Sequence, residues 1–139
     1  MKKTVLLNAP ISSAVARLGH GDSLCIGDAG LPVPKGVEKV DLALTVGVPS
    51  ALQVLKAVTS EMCVERAVIA LELKDEQSKF HAELRKALDA ISDSLSREIQ
   101  IDVVSHEDFK RATVHCQTTV RTGECTPFAN IILYSGVTF

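Results

Sequence analysis

The sequence lacks the short motifs that announce a chemistry on their own. Its four cysteines, Cys25, Cys63, Cys116 and Cys125, are spaced 38, 53 and 9 positions apart. There is therefore no Cys-x-x-Cys pair to anchor zinc or dithiol redox chemistry. Basic blocks are missing too: 15 Lys+Arg stand against 17 Asp+Glu, a formal net charge of −2. With a pI near 6.1, that leaves no electrostatic footprint for nucleic acid. No apolar run approaches the ~18 residues that span a bilayer, so no membrane insertion is expected. The start, MKKTVLLNAPISS, is basic and then apolar, but Asn8 and Pro10 cut the run too short for a signal peptide. The expected localisation is cytoplasmic, where a Cys116–Cys125 disulfide, possible by spacing, is disfavoured. Walker, Gly-x-Ser-x-Gly and His-Glu-x-x-His patterns are absent, and Gly19, Gly21, Gly27 and Gly30 do not have the spacing of a dinucleotide fingerprint.

What is present reads as one globular domain over 1–139. Hydrophobic residues make up 46% and charged residues 23% of 139 residues, enough for one self-sufficient core. Strand-like apolar runs alternate with helical patterns, as in a layered α/β domain. ISSAVARLGH reads as a helix capped by Ser12 or Ser13 and ended by Gly19. SLCIG, VDLAL and the stretch around Ala67–Leu71 read as strands. PSALQVLKAVTS is a helix with Ser50 near its cap. Phe80, Leu84, Leu88 and Ile91 recur at helical spacing, predicting a helix over Asp75–Leu95. Ile99–Val104 alternates as a half-buried strand. SHEDFKRATVHCQTTVRTG is expected to be helical from a Ser105/Asp108 cap. ANIILYSGVTF is the last strand, and its apolar end through Phe139 suggests packing into the core or against another subunit.

In open α/β sheets, ligands bind beyond the carboxyl ends of strands. Three stretches of this kind carry polar side chains beside small residues. In LGHGDSLCIGDAG, His20 sits between two glycines and Asp28 follows a strand; small neighbours allow close approach of a ligand. The same two residues could simply cap a helix and a turn. In VVSHEDF, His106 opens a helix whose positive end favours a neutral imidazole able both to donate and to accept, or is simply a surface histidine at a helix start. In GECTPFANI, Phe128 and Asn130 combine an aromatic face with an amide, a pairing suited to a sugar, or to a turn entering a strand. His81 and His115 fall within helical patterns; His81 lies on a charged face and reads as solvated, His115 as structural. Glu61 and Glu65 read as a solvated patch.

Taken together, RLGHGD, DAGLPVP, VVSHEDFK and VRTGECTPFANIILYSGVTF make the chain resemble the D-ribose pyranase family, related to the fucose mutarotases, over almost its whole length. The resemblance implies a three-layer α/β/α fold with a mixed central sheet. It implies an isomerase that interconverts the β-pyranose and β-furanose forms of D-ribose without a cofactor. It implies His20 as the catalytic acid/base, and Asp28, His106, Phe128, Ala129 and Asn130 as substrate-binding positions. The implied partners are D-ribose or a similar monosaccharide and other copies of the chain, in a homo-oligomer expected to be a decamer with sites near subunit boundaries. One departure is notable: relatives usually carry Tyr where this chain has Phe128, and a phenol can hydrogen-bond a sugar where Phe cannot. A non-catalytic sugar-binding accessory of a transport system, or a mutarotase for another sugar such as fucose, are the alternative readings.

Overall fold

The computed structural model describes residues 1–139. A six-stranded sheet forms the middle layer. Its strands are β1 (Ser23–Gly27), β2 (Glu38–Asp41), β3 (Val64–Ala70), β4 (Gln100–Val104), β5 (Thr118–Arg121) and β6 (Ile131–Ser135). Their order across the sheet is β2-β5-β1-β6-β3-β4. β6 runs antiparallel to both its neighbours, β1 and β3, whereas the β1–β5, β5–β2 and β3–β4 pairs are parallel. The beginning of β6 therefore lies at the carboxyl ends of the other five strands.

Alternation of side chains gives each sheet face its own core. Leu24 and Ile26 of β1, Ala67 and Ile69 of β3, and Ile131 and Leu133 of β6 pack under three helices. These are α1 (Ala9–Arg17), α2 (Ala51–Thr59) and α4 (Ser78–Leu95), which contribute Ile11, Val54, Leu55, Leu84 and Leu88. On the opposite face a smaller cluster joins Cys25, Val68 and Ile132 to Phe109 of α5 (His106–Ala112), with Leu31 and Cys116. This is the three-layer α/β/α arrangement with a mixed sheet that the resemblance implies. No helix is long and apolar enough to cross a membrane.

Several boundaries differ from the sequence reading. α1 is capped by Asn8, whose side chain accepts from the Ile11 N–H, with Pro10 in the first turn; Ser12 and Ser13 lie inside the helix. Asn is among the strongest N-caps and Pro suits a first turn, where an N–H has no helical partner. The long helix is broken at Gln77 into α3 (Leu71–Glu76) and α4. The segment after Ser105 is helical only to Ala112, followed by one tight turn at Thr113–His115. Its continuation, Thr118–Arg121, is strand β5, with β-branched Thr118, Thr119 and Val120 all buried. The second strand starts two residues before VDLAL and ends at Asp41, sharing only Val40 and Asp41 with it, and residues 42–50 form a loop laced to Gly123. Gly47 N–H donates to Gly123 O at 2.6 Å and Gly123 N–H to Pro49 O at 2.9 Å. A Cβ on Gly123 would fall 2.4 Å from the Val48 carbonyl oxygen, so this crossing requires glycine. Cys25 and Cys116 are buried and all four cysteines are free thiols; burial pushes the Cys25 thiol well above its usual range.

Candidate active site

The topology gathers polar side chains at both ends of the sheet. At the carboxyl end, the antiparallel register pairs Ile26 with Ile131, which brings the residue after β1 against the residue before β6. Asp28 and Asn130 meet there through two hydrogen bonds. Asn130 Oδ1 accepts from the Asp28 N–H at 2.7 Å, and Asn130 Nδ2 donates to Asp28 Oδ2 at 2.9 Å. The other carboxylate oxygen of Asp28 accepts from the Gly30 N–H at 2.8 Å. Gly27 permits this packing, because a Cβ there would lie 2.7 Å from Leu31 Cδ2.

The chain reaches Asn130 through a constrained turn. Phe128 adopts φ 63°, the left-handed region that bulky side chains avoid. Asn130 N–H donates to Phe128 O at 2.7 Å and Ala129 N–H to Thr126 O at 3.2 Å. Ala129 turns its methyl into the core, 2% exposed, so only its backbone borders the site. The turn is fastened at its start by Glu124, a buried carboxylate. It accepts from the N–H groups of Cys125 (3.1 Å), Thr126 (3.0 Å) and Ala51 at the start of α2 (3.4 Å). The Glu124 carbonyl also accepts from Ala29 N–H at 2.8 Å, tying this loop to the Asp28 turn. Backbone strain held this firmly is characteristic of ligand-binding turns.

His106 completes this end. It opens α5 behind Ser105, whose hydroxyl accepts from the Asp108 N–H. Its own N–H donates to Glu72 Oε2 at 2.8 Å. The imidazole meets the Phe128 ring edge-on, with centroids 5.1 Å apart and planes at 76°, and stacks on Phe109 at 6.3 Å. His106 Nδ1 is buried with no hydrogen-bond partner. Buried polar atoms are nearly always paired, so this nitrogen is an exception at the site. Asp28, His106, Phe128 and Asn130 thus form one cluster.

His20 stands at the opposite end. It lies in the turn before β1, whereas Asp28 lies after it, and the five-residue strand separates them by roughly 16 Å at about 3.3 Å per residue. His20 Nε2 lies 3.0 Å from Glu65 Oε2 on β3. Its turn is fixed by Gly21 N–H donating to Ser135 O and by Gly19 N–H donating to the Asp22 carboxylate, both at 2.8 Å. One chain therefore carries two separate halves of the expected site, and nothing in it brings His20 to the cluster.

Three carboxylates at these ends, Glu65, Glu72 and Glu124, escape a reading of the sequence. Nothing local distinguishes them from solvated acids: Glu65 and Glu72 meet partners distant in the chain, and Glu124 is buried against the start of α2. The remaining histidines stay apart from both ends. His81 is half-buried on α4, where desolvation, then Arg85 and Lys74, lower its pKa; His115 is exposed. No group of three His, Cys, Asp or Glu converges in a way suited to a metal ion.

Comparison with known proteins adds to this geometry. The model of the RbsD / FucU transport protein family matches residues 1–138. The D-ribose pyranase of Haemophilus influenzae (strain Rd) is 54% identical over 139 residues, covering 100% of both chains. The structure of Bacillus subtilis RbsD complexed with D-ribose superposes with a TM-score of 0.90 at 40% identity, covering 100% of each chain. The fucose mutarotase of Streptococcus pneumoniae, in complex with L-fucose, has a TM-score of 0.81 at 20% identity over 99% of each chain, a likeness of fold.

Proposed function

The chain belongs to the RbsD / FucU transport protein family, and from that premise we propose that it is a D-ribose pyranase, interconverting the β-pyranose and β-furanose forms of D-ribose in the cytoplasm. The observation that carries the reading is full-length identity of 54% to a D-ribose pyranase. The acid–amide–imidazole–aromatic cluster of Asp28, Asn130, His106 and Phe128 supports it. Sugar hydroxyls both donate and accept, and this cluster holds groups of both kinds: the Asp28 carboxylate, the Asn130 amide and the His106 imidazole. Phe128 supplies an apolar face for the carbon side of a sugar ring.

The reaction needs only protons moved at the right atoms. A base takes the proton of the anomeric hydroxyl and, now an acid, delivers a proton to the ring oxygen as the C1–O5 bond breaks to give the open aldehyde. The 4-hydroxyl then attacks C1, losing its proton as the carbonyl oxygen gains one, and the furanose closes. An imidazole can serve both steps, at typically ~10²–10⁴-fold per well-placed group. In this reading His20 is that catalytic group. Asp28, His106, Asn130 and the Phe128–Ala129 backbone hold the sugar.

Because His20 lies a strand length from the binding cluster, the reading requires a second copy of the chain. The amino end of one subunit meets the carboxyl end of the next. Such a head-to-tail contact closes into a ring when the rotation allows. We expect this ring within a decamer, with each site shared by neighbours.

NMR exchange spectroscopy on equilibrated D-ribose tests the proposal. Faster pyranose–furanose transfer with the protein, lost in His20→Ala, is the expected result. Unaccelerated exchange in the presence of bound ribose would overturn it in favour of a binding protein. Acceleration confined to another sugar would overturn the substrate.

A further inference from the structure

We propose that Glu65 is the positioning residue of His20, selecting which imidazole nitrogen handles the proton; this rests on the catalytic role assigned to His20 above. Four features converge on it. First, Glu65 Oε2 lies 3.0 Å from His20 Nε2, across 45 positions of sequence. Second, Glu65 occupies a break in the sheet register: Val64 pairs with Ser135 and Arg66 with Tyr134, so Glu65 is the extra residue of a β-bulge. Bulges redirect a side chain out of the regular alternation and concentrate near active sites. Third, the residue beside it is Gly136, where a Cβ would crowd the Glu65 Cβ at 3.1 Å and Oε2 at 3.2 Å. Fourth, the His20 turn is anchored to the same end of the sheet. Gly21 N–H donates to Ser135 O and Ser135 N–H to Asp22 O, both at 2.8 Å.

The chemical consequence follows from the imidazole. A carboxylate can only accept, so the hydrogen bond requires a proton on Nε2. In the neutral ring the lone pair then resides on Nδ1. Nδ1 is the atom that takes the anomeric proton and, once protonated, delivers one to the ring oxygen. The carboxylate also stabilises the imidazolium formed in between, without itself accepting the proton. Glu65 touches no sugar in this scheme and acts through His20.

The test uses ¹⁵N-labelled full-length protein and the variants Glu65→Ala and Glu65→Gln, each also made with His20→Ala. Histidine side-chain ¹H–¹⁵N correlations report the tautomer. The native protein should show His20 protonated on Nε2, Glu65→Ala a mixture, and Glu65→Gln, whose amide oxygen still accepts, the native tautomer. Glu65→Ala should lower kcat roughly ten- to a hundredfold with little change in KM. Glu65→Gln should recover part of that loss, and Glu65→Ala should add none to His20→Ala. An unchanged tautomer and kcat in Glu65→Ala, or a further loss of the same size on His20→Ala, would overturn the proposal. Full activity of His20→Ala would instead overturn the reading of the reaction, and the tautomer measurement would still decide the placement of the ring.

Discussion

Asn130 holds Asp28 by two hydrogen bonds, one from the Asp28 backbone and one to its carboxylate, across 102 positions of sequence. Asn130 is 1% exposed, so neither bond can be replaced by water. Asn130→Ala should therefore cost about 2–4 kcal/mol of stability, the sum of one neutral and one charge-assisted bond. It should also raise KM for ribose. Asn130→Asp should be worse, since it sets a second carboxylate against Asp28. Urea unfolding alongside exchange spectroscopy checks both. Unaltered stability in Asn130→Ala would mean that the clamp contributes nothing.

Phe128 offers the most direct gain. Its ring already packs edge-on to His106, and Phe128→Tyr keeps that ring while adding a hydroxyl. One new hydrogen bond to the sugar is worth about 0.5–1.5 kcal/mol, or roughly two- to tenfold in rate if it forms in the transition state. Exchange spectroscopy should show faster interconversion in Phe128→Tyr. An unchanged rate would confine the ring to shaping the site.

A site shared between subunits, as proposed, predicts complementation. His20→Ala and His106→Ala disable opposite ends of the subunit, so each alone should be inactive. Unfolded together and refolded, equal amounts should form hybrid rings in which about a quarter of the sites are intact on both sides. Recovery of activity towards that fraction is the expected result. No recovery from mixed oligomers of demonstrated composition would place both halves within one subunit.

Acid should weaken the fold through particular carboxylates. Glu61 is held below its usual pKa by the Thr4 hydroxyl and then by Lys2. Asp41 is held down by the Ala43 N–H and then by Arg121. Asp102 follows through Gln100 and Arg66. Each folded-state value is depressed, so its stabilisation is complete above the unfolded value near 4 and is lost as pH falls through the folded one. Urea midpoints should be flat from neutrality to about pH 5 and fall below about pH 4. Asp41→Asn should flatten part of that fall. An unaltered slope would remove Asp41 from the account.

Much of this molecule was legible because local chemistry governs it. SLCIG is strand β1, ended by Gly27 as read, and Ser50 caps α2 with Gln53 in a reciprocal capping box. The three polar residues of the cluster, Asp28, His106 and Asn130, and its one aromatic, Phe128, all stand in stretches singled out by small neighbours and strand ends. β5 was missed because Thr118–Arg121 continues an amphipathic pattern without a break. It becomes a strand only through its pairing with β1 and β2. Glu65 was misread for the same reason. Beside Glu61 it reads as solvated, and only the bulge opposite β6 turns it towards His20.

Spacing, capping residues and side-chain chemistry thus identified the layered α/β class and nominated His20, Asp28, His106, Phe128 and Asn130, while Ala129 and the role of each came from the family resemblance. Which of them meet was decided by topology. The single antiparallel strand β6 carries Asn130 to Asp28 and leaves His20 at the far end of β1. Sequence distance is silent on this: residues 28 and 130 touch, whereas residues 20 and 28 are held apart, because a strand is a rigid spacer and a sheet pairs segments without regard to their order.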